Sequence, residues 1–276
     1  MASSASSQLP GDLGRLPEDL GDLDAFKREV SQLIGVNLAG YQDRQMERRI
    51  LTLMRQEGAS DPTTYLEVLR SDARKLREFA LGVTIHVSEW FRDAGRFEDL
   101  ARVVMPELLA RFQRLRIWSA GCSVGSELYS TMIVADRLGA LERCEFLGTD
   151  VDAEVLGRAR AGVFDAGEQK GLAARDARRY FEPVGDGALQ LRPDLVDRAR
   201  FERHDLLADP YGRRFQLILC RNVTIYFTQD SKARVYGHLS SALDVDGVLF
   251  LGNVERVTPP DSSLQPVCPS FYRKRA

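Results

Sequence analysis

Four short apolar runs punctuate the chain beyond about residue 95: residues 116–120 (RIWSA), 145–148 (EFLG), 215–220 (FQLILC) and 248–252 (VLFLG). Helical patterns lie between the first pair and after the second and third. Runs that are apolar throughout need cover on both faces. Strands alternating with helices predict a mostly parallel, doubly wound α/β sheet. This feature excludes a helical bundle and an all-β sandwich as the main body.

The third run breaks its own rule. In LILCRNVTIYF the apolar Leu217, Ile218, Leu219 and Cys220 give way to Arg221 and Asn222, then to Ile225, Tyr226 and Phe227. A polar cluster at the C-terminal end of a parallel strand lies where open α/β sheets bind ligands. Taken alone, the Arg-Asn pair is better explained as satisfying backbone groups at a strand end.

Composition narrows the class of ligand. The chain is 44% hydrophobic and 28% charged with a net charge of -2, which describes an ordinary globular protein and argues against bulk nucleic-acid binding. Cys122, Cys144, Cys220 and Cys268 are scattered, and the three histidines lie far apart, so no metal-ligand spacing is present. Cys122 and Cys220 read as small core fillers rather than nucleophiles. No apolar run is long enough to cross a bilayer. The start, MASSASSQLPG, lacks the basic and apolar regions of a signal peptide, so a cytoplasmic location without membrane insertion is expected.

Residues 1–20 read as a disordered tail rich in small and polar residues. Residues 21–81 read as a helical domain, with one stripe of Phe26, Val30 and Leu33 and another of Met46, Ile50, Leu53 and Met54. Asp61-Pro62 predicts an N-cap with proline at the first helical position, and Ser71 or Asp72 a second cap. Residues 82–95 form a linker, and 96–276 the sheet domain. Within the latter, 163–203 departs from the alternation and reads as an inserted antiparallel patch that includes ARFER. The final FYRKR is expected to be an edge strand guarded by its basic residues.

Two motifs carry chemistry. In RIWSAGCSVGSELYS, a strand runs into Gly121 and Gly125 and a helix is expected from about Ser126. Such a loop brings backbone and free helix N–H groups close to a ligand. The second motif is Asp150, just past the next strand, where an acid bonds both ribose hydroxyls of a nucleoside. The plainer reading of the pair is a tight turn and a helix cap. The loop lacks G-x-G-x-x-G, and Glu127 stands where a dinucleotide's phosphate would lie. An acid there suits a cationic, amine-bearing adenosine compound, and S-adenosylmethionine (SAM) is one.

GCSVGSELYS, FLGTDVDAEVLGRAR, LILCRNVTIYF and VTIHVSEWFRD together resemble the CheR family of chemoreceptor methyltransferases. IGVNLAGYQDRQMERRI followed by DPTTYLEVL is similar to that family's N-terminal domain. The resemblance covers roughly residues 24–276, and R-N-x-x-I-Y-F and W-F-R are its specific parts.

The resemblance implies a class I SAM-methyltransferase sheet with a helical N-terminal domain and an antiparallel subdomain. The activity it implies is protein-glutamate O-methylation. SAM would be consumed and S-adenosylhomocysteine (SAH) released, on the cytoplasmic helical region of chemoreceptors. Arg92 and Tyr226 are then expected near the transferred methyl group. His86, Ser88, Arg92, Gly121, Glu127, Asp150, Asp205, Leu206, Cys220 and Arg221 are expected about the cofactor. Arg44, Arg48, Arg49 and Arg55 on one helical stretch form the expected docking face for acidic receptor helices. The short loop near Pro183 predicts receptor binding without a tether peptide, and a monomer is expected.

Some positions depart from the family pattern. His86 and Ser88 replace asparagine and threonine, Ser126 and Leu128 alter G-E-E-P-Y, and Asn253 and Val254 alter G-x-S-E. His86 cannot offer an amide's paired donor and acceptor. These departures motivate an alternative: a non-catalytic relative that binds SAM or SAH while docking a signalling partner. A SAM enzyme acting on a small molecule is the third reading, and it would need no basic docking face.

Overall fold

The computed structural model describes residues 23–84, 88–257, 260–261 and 263–276. Four helices come first: α1 (Leu23–Ile34), α2 (Asp43–Gln56), α3 (Pro62–Ser71) and α4 (Ala73–Val83). The caps of α3 and α4 are those the sequence predicts. Asp61 accepts from the Thr64 N–H at 2.9 Å ahead of Pro62, and Asp72 accepts from those of Arg74 and Lys75 at 2.8 and 3.2 Å. The buried stripe is Phe26 and Val30 on α1 and Met46, Ile50, Leu51 and Met54 on α2. Leu33, expected in that stripe, is 38% exposed, while Leu53 is half-buried. Phe26 stacks on Tyr65 at 5.7 Å and meets Phe79 edge-on at 5.9 Å, which centres this small core on aromatic contacts.

The sheet domain follows in the order α5 (Ala94–Asp99), a π-helical turn (Leu100–Val104), α6 (Met105–Arg111), β1 (Leu115–Ala120), α7 (Ser126–Arg137), β2 (Cys144–Asp150) and α8 (Ala153–Ala161). Next come β3 (Val163–Phe164), α9 (Ala174–Tyr180), β4 (Phe181–Gly185), β5 (Ala188–Leu191), α10 (Pro193–Val196) and β6 (Ala199–Arg203). β7 (Phe215–Cys220), α11 (Gln229–Ala242), β8 (Leu243–Leu251), β9 (Leu264–Cys268) and β10 (Phe271–Lys274) complete it.

The main sheet has seven strands in the order β6-β2-β1-β7-β8-β10-β9. The first five are parallel; β10 pairs antiparallel to β8, and β9 antiparallel to β10. Strand periodicity divides the core. Ile117, Leu217, Leu219 and Phe250 pack with residues of α5 to α8, while Trp118, Ile218, Cys220 and Leu249 pack with Val235, Tyr236 and Leu239 of α11. The order reverses between β1 and β7. The crevice at their C-terminal ends is thus the topological switch point.

Two expectations about strands are corrected. The antiparallel patch is the three-stranded sheet β3-β5-β4, but ARFER is β6, an edge strand of the main sheet paired parallel to β2. FYRK is β10 and lies inside the sheet, with β9 at the edge. Arg273 is accordingly buried, and it pairs with Glu107 of α6 rather than guarding an edge.

Candidate active site

At the end of β1 the chain must turn sharply, and Gly121 does so with φ of 80°. The N–H groups of Gly121 and Cys122 both donate to the Thr149 carbonyl at 2.8 Å, and that of Ser123 donates to Asp150 Oδ2 at 2.9 Å. The loop therefore folds over the end of β2 and fixes the Asp150 carboxylate at the switch point. The Asp152 N–H donates to Oδ1 at 3.2 Å.

Gly121, Ser123 and Asp150 form one wall of a cavity with about 940 Å³ of empty space, its open mouth included. Asp205 and Leu206 line it too, as do Arg221, Asn222, Val223, Tyr226 and Phe227. The remaining wall belongs to the helical domain: Tyr41, Gln42, Gln45, Met46 and Arg49. Burial, then the carboxylates of Asp205 and Asp150, raise the Tyr41 pKa, so its hydroxyl stays protonated at neutral pH. His204 also lines the cavity, and burial lowers its pKa against the opposing pull of Asp209 and Asp205. Its Nε2 is buried without a partner among the described residues.

Arg221 explains the polar strand ending. Its side chain is only 1% exposed and bonds three groups: the Arg92 carbonyl at 2.7 Å, Asp93 Oδ2 at 2.8 Å and Glu127 Oε2 at 3.3 Å. The guanidinium also lies 4.5 Å from the centroid of the Phe250 ring. A buried charge needs such partners. Here they join the end of β7 to the start of α7 and to the linker. Ser119 Oγ donates to the other Glu127 oxygen at 2.7 Å. Burial raises the Glu127 pKa, with Arg221 and Ser119 opposing it.

The turn carrying Tyr226 is held from below by Glu255. Its carboxylate accepts the N–H groups of Asn222 at 2.6 Å, Gly252 at 2.9 Å and Thr224 at 3.0 Å, and the Thr224 hydroxyl at 2.7 Å. Gly252 has to be glycine for this, since a Cβ there would lie 2.5 Å from Glu255 Oε2. Asn222 takes a left-handed φ of 59°, a conformation asparagine tolerates better than most residues.

Six of the expected catalytic and cofactor residues line the cavity: Gly121, Asp150, Asp205, Leu206, Arg221 and Tyr226. Four others sit elsewhere. Glu127 lies behind the wall, bonded to Ser119 and Arg221. Cys220 is fully buried in the core on the α11 side, because its side chain falls on the sheet face rather than at the strand end. Ser88 is half-buried in the linker. Arg92 is half-buried between Phe91 and Asp93, both at positive φ, with Trp90 packed edge-on against Phe164 at 4.8 Å and Phe181 at 5.1 Å. His86 lies outside the described residues.

Of the docking arginines, Arg44, Arg48 and Arg55 are exposed on α2. Arg49 departs from them. It turns inward, bonds the Gly82 carbonyl and, at 3.2 Å, the Thr84 carbonyl, and lines the cavity. Sequence reasoning missed the helical domain's wall and His204. Met46 satisfies the amphipathic pattern of α2 whether or not it also borders a cavity, so periodicity gave no signal.

The donor set fits an adenosine-type ligand that carries amines. Two carboxylates, Asp150 and Asp205, face the cavity, with apolar Leu206, Val223 and Phe227 beside them and an orphaned imidazole nitrogen at His204. The sheet order and this switch-point cavity define a class I SAM-dependent methyltransferase.

Comparison with known proteins narrows the class. Residues 86–270 match "CheR methyltransferase, SAM binding domain", and residues 21–84 match "CheR methyltransferase, all-alpha domain". The chain is 36% identical over 261 residues to a chemotaxis protein methyltransferase of Listeria innocua, covering 94% of this chain and 99% of that protein. It is 33% identical over 268 residues to the Escherichia coli chemotaxis protein methyltransferase, covering 92% of each. The chain belongs to the CheR methyltransferase family, and SAM is its cofactor.

Proposed function

We propose that this methyltransferase esterifies glutamate side chains on the helical cytoplasmic region of chemoreceptors. The products are glutamate 5-O-methyl esters and SAH, made in sensory adaptation. One observation carries the reading. In a chain of this family, Asp150 and Tyr226 face a single cavity, and the helix that bears exposed Arg44 and Arg48 closes it.

When bound, SAM would supply an electrophilic methyl carbon on a sulfonium; an acceptor carboxylate oxygen would bond to that carbon as its bond to sulfur breaks, so that SAH is the leaving group. A free glutamate has a pKa of about 4.3, so the acceptor is already ionised at neutral pH and no general base is required. Asp150 holds the ribose hydroxyls and Asp205 the adenine side. Arg92 anchors the acceptor carboxylate through its fork of donors. It must not hold the attacking oxygen too tightly, since that oxygen loses charge in the transition state. Tyr226 orients the attacking oxygen, and Arg221, Asp93 and Glu127 fix the linker behind Arg92. Orientation of this kind is worth roughly 7–11 kcal/mol.

The enzyme acts as a monomer and binds receptors without a tether. Only Asp186 and Gly187 separate β4 from β5, which leaves little loop to grip a peptide. The test is incorporation of base-labile methyl esters into receptor membranes. Receptor binding without esters would sink the catalytic reading and leave a regulatory relative.

A further inference from the structure

We infer that Gln42, at the start of α2, is a positioning residue for Tyr226, so that the helical domain contributes to methyl transfer as well as to docking. The inference rests on the function proposed above. Gln42 is the N-cap residue of α2, a place where Ser, Thr, Asp or Asn would bond the helix's own N–H groups. Its side chain makes no cap bond. Instead it reaches into the other domain. Its Nε2 donates to the Ile225 carbonyl at 3.0 Å and to the Phe227 carbonyl at 3.4 Å, and its backbone N–H donates to the Tyr226 carbonyl at 2.8 Å.

Three consecutive carbonyls around Tyr226 are thus bonded to a single residue. The neighbours extend the grip. The Thr228 N–H donates to the Gly40 carbonyl at 3.0 Å, and Tyr41 meets the Phe227 ring edge-on at 5.1 Å. Glu255 fixes the beginning of the turn at Asn222 and Thr224, and Gln42 fixes its end. With both ends held, the Tyr226 ring has a defined place on the cavity wall.

The experiment is a double-mutant cycle between Gln42 and Tyr226 in the full chain. Gln42→Glu keeps the shape but presents acceptors to two carbonyls, and Gln42→Ala removes the side chain. Methyl-ester formation on receptor membranes gives kcat and KM, and SAH titration gives cofactor affinity. We expect kcat to fall roughly ten-fold or more, as small misplacements of reacting groups can cost about a hundred-fold. SAH affinity should stay within a few-fold.

In a Tyr226→Phe background the same substitutions should cost little further, because Gln42 acts through the tyrosine. Equal losses in both backgrounds would overturn the inference and make Gln42 simple interdomain glue. Loss of SAH affinity in step with kcat would overturn it too, assigning Gln42 to cofactor contact. A Tyr226→Phe enzyme as fast as the parent would instead bring down Tyr226's assigned role in the proposed function.

Discussion

Asp150 and Arg92 carry different parts of the reaction and should fail differently. Asp150 faces the cavity with its carboxylate fixed by the Ser123 and Asp152 N–H groups. Asp150→Ala should weaken SAH binding by about 1.5–3 kcal/mol, the range for a hydrogen bond to a charged group. Calorimetric titration reads this directly, and an unchanged Kd would exclude the ribose contact. Arg92 does not line the cavity, and its carbonyl is bonded to Arg221. Arg92→Ala should nearly abolish turnover while SAH affinity stays within a few-fold. If affinity fell as steeply as turnover, Arg92 would belong to the cofactor rather than the acceptor.

At the scale of elements, the caps of α3 and α4 make the helical domain sensitive to acid. The Asp61 pKa lies below its usual 3.8 because its carboxylate accepts the Thr64 backbone N–H, and then the Thr64 and Ser60 hydroxyls. That of Asp72 is lowered by the Lys75 and Arg74 backbone N–H groups. Between the lowered and the ordinary pKa the unfolded chain binds more protons than the folded one, so stability falls with falling pH. The contribution is complete above the ordinary value and is lost as pH drops through the lowered ones. Acid titration followed by circular dichroism should show helix loss in that window. An Asp61→Asn, Asp72→Asn variant should show a shallower dependence; an unchanged one would mean that the caps do not set it.

Across the whole molecule, the helical domain both closes the cavity and presents Arg44 and Arg48 outward. Reversing these two charges to Glu should reduce methylation of receptor membranes at low salt, and the gap from the parent should narrow as salt rises. SAH affinity should not change. Methylation that is indifferent to the reversal would point to a small-molecule acceptor instead. Arg49 is no part of this test, because it holds the Gly82 and Thr84 carbonyls beside the cavity.

What was legible in the sequence was set by local rules. Strand runs, the Gly121 turn, the Asp61 and Asp72 caps and the acid ending β2 each depend on a few neighbouring residues, whose backbone preferences and periodicity point one way. Tyr226 and Arg221 were assigned to the site by the resemblance of R-N-x-x-I-Y-F to the family's motif. Strand order was beyond local reading. ARFER alternates as an antiparallel strand would, yet it pairs parallel to β2, because a strand's hydrogen-bond partners are chosen by distant segments. FYRK looked like an edge for the same reason. The tertiary structure alone decided that Arg221 is buried among Asp93, Glu127 and Phe250, that Arg49 turns inward, and that Gln42 reaches across to the tyrosine turn. Those outcomes depend on how segments distant in sequence meet, and a side chain's partners across that meeting leave no period in its own sequence.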